Sequence, residues 1–92
     1  MTAPIRPEDV LSDQADTASF GDTTVRKGTV AAFVANAKLL DELAEGSPEW
    51  NAVLEQLRRL LPGLRAVGVL DVFTPRSATI AALLEEDTDG TR

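Results

Sequence analysis

Two helical patterns separated by only two residues place the strongest constraint on the fold of this 92-residue chain. In the first, apolar side chains recur at intervals of three and four from Val30 to Leu40, on one face of a helix predicted over residues 30–45. Gly46 is expected to end it in a left-handed conformation. The second begins at "SPEW", residues 47–50, with an N-cap serine, a proline at the first position and an acid near the positive end of the dipole. Because the linker Gly46-Ser47 is so short, the two helices are predicted to form an antiparallel or sharply bent pair.

The apolar stripe of the second helix has two interpretations. It either faces the core of the same chain, or it forms a dimer surface if the small domain cannot cover it from within. Pro62-Gly63 is expected to break or kink the helix, with a short helical turn after it. The residues predicted as a candidate interface are Trp50, Leu54, Leu57 and Leu61. The single tryptophan could equally belong to the core, since it lies on the apolar face.

The remaining segments predict two short extended regions and a last helix. Gly21-Asp22 sits between β-branched and aromatic residues, which predicts a small hairpin or one bent strand over residues 17–27. The run "VLDVF", residues 69–73, is predicted as a strand that pairs with that region. Thr74-Pro75 is expected to start a helix that ends at about residue 86. The predicted class is α+β, with three main helices and a two- or three-stranded sheet, and an all-α fold is the alternative.

The distribution of charge predicts one domain with acidic ends. The net charge is −6, yet the segment 25–75 carries six basic and six acidic residues, so the excess acid lies towards the two termini. We expect a flexible arm over residues 1–17, a single compact domain over 18–86 and a flexible tail over 87–92. Without a basic face, binding to nucleic acid is not expected.

The residue types that are missing argue against an enzyme. The chain has no cysteine and no histidine, which removes the commonest general base, thiolate nucleophiles and the usual zinc ligands. We predict no catalytic residue, no metal and no cofactor. Asp71 lies in an apolar run and is expected to face solvent or pair with a base. No stretch has the length of a membrane span, so the predicted location is the cytoplasm, without a membrane partner.

The segment Arg26-Lys27-Gly28-Thr29 is the one candidate ligand site. It combines two cations with the exposed amides at the start of the first helix, an arrangement that attracts phosphate or carboxylate groups. The spacing of Gly21 and Gly28 does not match a P-loop. The alternative is structural: Gly28 permits the turn into the helix, Thr29 caps it, and both cations are solvated.

Two stretches, "VRKGTVAAFVANAKLL" and "LLPGLRAVGVLDVF", resemble a family of small uncharacterised bacterial proteins. This resemblance implies a compact bacterial domain and assigns no activity, cofactor or site. The functional hypothesis is therefore a small interaction or regulatory module that forms a homo-oligomer or binds a protein partner. A module that binds a small anion at residues 26–31 is the alternative.

Overall fold

The protein is described by a computed structural model over residues 5–6 and 16–90, with only the backbone described for 87–90. A β-hairpin is followed by two long helices, a one-turn helix and a last helix. This arrangement confirms the α+β class, and the all-α alternative is wrong. The predicted N-terminal arm lies mostly outside the described residues. The elements are β1 (Thr17–Phe20), β2 (Thr23–Arg26), α1 (Thr29–Glu42), α2 (Pro48–Val67), α3 (Val69–Val72) and α4 (Ala78–Gly90).

The hairpin forms where the sequence predicts it. Gly21 has a φ of 62°, the positive dihedral that the two-residue turn requires. The strands are antiparallel, and Ala18 of β1 lies opposite Val25 of β2. The amide of Lys27 donates to the carbonyl oxygen of Asp16 beyond the strand ends. Val25 is buried and its neighbours alternate outwards, so one face of the hairpin packs on the helices.

Helices α1 and α2 pack together as the short linker predicts, and their shared face builds the core. Helix α1 stops at Glu42, before the predicted end at residue 45, and Leu43 is extended. Gly46 does adopt a left-handed conformation, with φ 85°, but in the turn that leads into α2. There the Ser47 side chain accepts a hydrogen bond from the amide of Trp50 at 3.1 Å, which confirms the predicted cap. The core cluster consists of Phe33, Leu40, Leu57, Leu61, Leu64, Ile80 and Leu83.

Helix α2 continues through Pro62, so of the predicted break or kink at Pro62-Gly63, the break is wrong. Leu61 and Leu64 on either side are both buried, and packing of this face keeps the segment helical despite the missing amide donor. Gly63 faces the hairpin, where an added Cβ would lie 3.2 Å from Cγ2 of Thr29 and 3.5 Å from Cγ1 of Val25. A side chain at this position would therefore require Thr29 to shift by a few tenths of an ångström.

The predicted strand at 69–73 is wrong. Residues Val69–Val72 form the one-turn helix α3, and the sheet of the described chain consists of β1 and β2 without this segment. Gly68, with φ 94°, ends α2 and donates its amide to the carbonyls of Leu64 and Arg65. The chain therefore changes direction directly after α2, and Val69 of α3 packs against the core.

The last helix begins and ends later than predicted. Ser77, not Thr74, accepts a hydrogen bond from a first-turn amide, that of Ile80, at 3.2 Å. Residues 73–77 form a non-helical connection between α3 and α4. Helix α4 then runs to Gly90, past the predicted helix end at about residue 86.

Candidate functional site

The four predicted interface residues have two different environments. Leu57 and Leu61 are 0% exposed within a single chain, so they belong to the core and their assignment to an interface is wrong. The reason is that α1 and α4 cover the stripe from within the chain, as the core interpretation required. Trp50 and Leu54 are half-buried and pack against the edge of that core.

Trp50 and Leu54 line a depression of about 350 Å³ between α2 and α4. Arg58 closes one side of it, with Nε and Nη2 donating to Oε1 of Glu86 at 3.1 and 2.8 Å. The hydrogen bond to Glu86 raises the pKa of Arg58 above its ordinary value. Both side chains of this pair are exposed, so it adds little to stability and mainly orients α4 on α2.

The segment Arg26-Lys27-Gly28-Thr29 turns from β2 into α1. Gly28 is left-handed, with φ 88°, and permits that turn. The hydroxyl of Thr29 donates to the carbonyl oxygen of Arg26 at 2.8 Å, so it does not cap the helix and that detail of the structural interpretation is wrong. Helix α1 has no side-chain cap and no acid in its first turn. All four residues border a cavity of about 190 Å³ whose other walls are apolar.

A larger and strongly apolar concave surface lies elsewhere, between α1 and the connection that follows α3. It has a volume of about 400 Å³, and we call it the α1 groove. One wall is a stripe on α1, the opposite wall is Phe73 with residues 74–77, and buried core side chains form the floor. The groove is lined by Val30, Phe33, Val34, Ala37, Lys38, Asp41, Leu64, Val69, Leu70, Phe73, Thr74, Pro75, Arg76, Ser77 and Ile80.

Large apolar side chains at the α1 groove are open to solvent. Val34 is 49% exposed and Phe73 is 66% exposed, and Val72 beside Phe73 is 74% exposed. Val30, which belongs to the α1 wall of the groove, is also exposed. Exposed apolar residues that adjoin one another mark interaction surfaces, whereas scattered ones do not.

The sequence predicted the wrong residues for the exposed apolar surface. The period of α1 put Val30, Phe33 and Val34 on one inward face, but that face is wider than α2 can cover, so only Phe33 is buried. Phe73 lies in the segment that the sequence predicts as a strand. A partial signal was Thr74-Pro75, since the residue before a proline favours extended backbone and so indicates that a helix ends ahead of it.

The charges around the α1 groove are mixed. Lys38 and Arg76 contribute two cations to its lining, and Asp41 contributes one carboxylate. All three residues are exposed. The groove thus combines an apolar floor with a polar rim, as protein interfaces do. The charged residues of this rim are cationic on balance.

Other kinds of site find no support in the described part of the chain. Residues 5–6 and 16–86, whose side chains the structure describes, contain no group of three acidic, histidine or cysteine residues that could hold a metal ion. Over the same residues, no buried side-chain nitrogen or oxygen lacks a hydrogen bond. None of the described helices is long and apolar enough to cross a membrane. Comparison with known protein families, curated proteins and solved structures gives no match to this chain.

Proposed function

We propose that this protein is a small protein-interaction module that self-associates through the α1 groove. The observation that carries the proposal is the juxtaposition of exposed Val34 and exposed Phe73 across an apolar concavity of about 400 Å³. This location differs from the leucine stripe that the sequence suggested. The same proposal holds that the protein is bacterial and cytoplasmic, and that it works by forming an assembly of protein chains.

Size and charge both favour self-association. A domain of this length buries a smaller fraction of its surface on folding than a larger domain does. Covering further apolar area in a dimer therefore adds directly to its stability. The excess negative charge lies outside residues 25–75, which contain every α1 residue of the groove together with Phe73. Two copies can therefore approach through this face without facing the most acidic parts of the chain.

Val34→Asp tests the groove. Burying a carboxylate in an apolar contact is costly, so we expect the dimer dissociation constant to rise at least about tenfold, a loss of roughly 1.4 kcal/mol. Sedimentation velocity over a range of micromolar concentrations measures this shift. Leu39→Asp is the matched control, because Leu39 is also on α1 and is 42% exposed but does not line the groove.

Comparison of the two variants distinguishes a specific contact at the groove from a general effect of added charge on association. We expect Leu39→Asp to dimerise as the wild type does. Equal losses in both variants would point to a non-specific effect of charge, and a wild-type protein that stays monomeric throughout the concentration range would contradict the proposal outright.

Anion binding at residues 26–31 stays a prediction with one supporting observation, the uncapped first turn of α1 beside Arg26. It predicts that phosphate shifts the amide resonances of residues 28–31 in a saturable way, as measured by two-dimensional NMR. Sodium chloride at matched ionic strength is the control. Shifts that are absent, or equal in both salts, would leave only the structural interpretation of this segment.

A further inference from the structure

We infer that the α1 groove of each copy receives the segment Asp71-Val72-Phe73 of a second copy, in a two-fold symmetric dimer. This inference rests on the proposed self-association and goes further, since it names the segment that fills the groove. It also predicts one specific ion pair, between Asp71 of one copy and Lys38 of the other.

Exposure and backbone geometry identify this segment. Val72 and Phe73 are 74% and 66% exposed, more than the apolar side chains of α1. They lie where α3 ends, and Phe73 has φ −121° and ψ 149°, an extended conformation. Two adjacent apolar side chains that are this open to solvent are suited to contact with a second molecule.

The segment and the groove adjoin each other on one surface. Phe73 lines the α1 groove of its own chain, at the wall opposite Val34. A contact in which each copy offers the same protrusion and the same groove is isologous, so it closes after two copies and does not extend into a filament. The Phe73 side chains of both copies would then lie within one continuous apolar interface.

Charge complementarity favours a second copy over an unrelated occupant. Asp71 is an exposed carboxylate directly before the two protruding apolar residues. The groove that would receive them is bordered by the cations Lys38 and Arg76 and by the single acid Asp41. The inserted segment therefore brings a negative charge to a rim with an excess of one positive charge. Complementary rim charges set register and partner choice more than affinity.

The symmetry of this arrangement allows a charge exchange between two variants. One variant carries Asp71→Lys and the other carries Lys38→Glu. In each homodimer, like charges meet at both ends of the interface. In the mixed dimer, the introduced lysine of one copy meets the introduced glutamate of the other at one end, while native Asp71 meets native Lys38 at the opposite end. Both exchanged residues are exposed in the single chain, so folding should be unaffected, which thermal unfolding followed by circular dichroism checks.

We expect each variant alone to dimerise at least about tenfold more weakly than the wild type. An equimolar mixture should recover a one-to-one dimer within about threefold of wild-type affinity. Native mass spectrometry distinguishes the three dimers by mass, and light scattering at low salt measures their affinities, because screening weakens such pairs at high salt. A mixture of Asp71→Lys with Glu42→Lys is the control, and its mixed dimer keeps one repulsive end and one native end, so its affinity should fall between that of the Asp71→Lys homodimer and that of the wild type.

The outcomes separate this inference from the proposed function. A wild-type monomer overturns both. A wild-type dimer that is weakened by Val34→Asp, but whose charge variants either dimerise normally or fail to recover on mixing, overturns the inserted segment and leaves the groove as an interface for another part of the chain. Selective formation of the mixed dimer supports both.

Discussion

Leu61→Ala is expected to lower the free energy of unfolding by about 2–5 kcal/mol, the range measured for leucine truncations in well-packed cores. Leu61 is completely buried at the contact of α2 with the rest of the core, so the deletion removes apolar contacts and leaves a cavity. In a domain of this size each kcal/mol shifts the midpoint by about 4–8 °C, so the melting temperature should fall by about 10 °C or more. Thermal unfolding monitored by circular dichroism measures this change.

Leu39→Ala makes the same chemical deletion at a side chain that is 42% exposed and lies outside the core cluster. It should lower the free energy of unfolding by about 1 kcal/mol or less, because only part of this side chain is covered. Similar losses in both variants would mean that Leu61 is not in the core. The leucine stripe would then again be a candidate interface, and the α1 groove would lose its place as the main apolar surface.

Pro62→Ala is expected to stabilise the protein. Proline inside a helix costs about 3 kcal/mol, because it lacks the amide donor and crowds the preceding turn. Pro62 is exposed, so its ring makes no core contact that alanine would lose. Proline also restricts the unfolded chain by about 0.4–1 kcal/mol, which offsets part of the gain. The net increase should be about 2–2.6 kcal/mol, measured by urea unfolding.

Pro48→Ala is the matched control for this experiment. Pro48 is the first residue of α2, where no amide donor is needed, so alanine there restores no hydrogen bond. We expect a small loss of stability from Pro48→Ala and a gain from Pro62→Ala. A gain of the same size in both would show that the effect does not depend on the position of the proline inside the helix, and a loss in Pro62→Ala would show that the native helix carries no penalty from this proline.

Much of the fold follows from local signals. The cap at Ser47, the turn at Gly21 and the periodic apolar residues of α2 all act over a few neighbouring residues, and all three occur as the sequence predicts. The wrong predictions share a cause as well. The strand at 69–73 depended on a pairing partner, and the break at Pro62 on what packs around it, so both were decided by distant parts of the chain.

The candidate site was the least predictable part of the molecule. Val30 and Val34 have the same spacing as the buried Phe33, and periodicity alone cannot tell which flank of a wide apolar face will be covered. Phe73 belongs to a segment whose conformation was predicted wrongly. The groove between them exists only because α3 turns the chain back towards α1, which no local pattern encodes.

By itself, the sequence determined where the two long helices begin, that they pair, and that the chain lacks the cysteine and histidine side chains on which much acid-base and nucleophilic chemistry depends. The tertiary structure alone decided which leucines are buried, that residues 69–72 are helical, and that Val34 and Phe73 are left exposed around a shared groove. The physical reason is that helix starts and turns are set by hydrogen bonds and backbone dihedrals within a few residues, whereas burial depends on which surfaces the whole chain brings together.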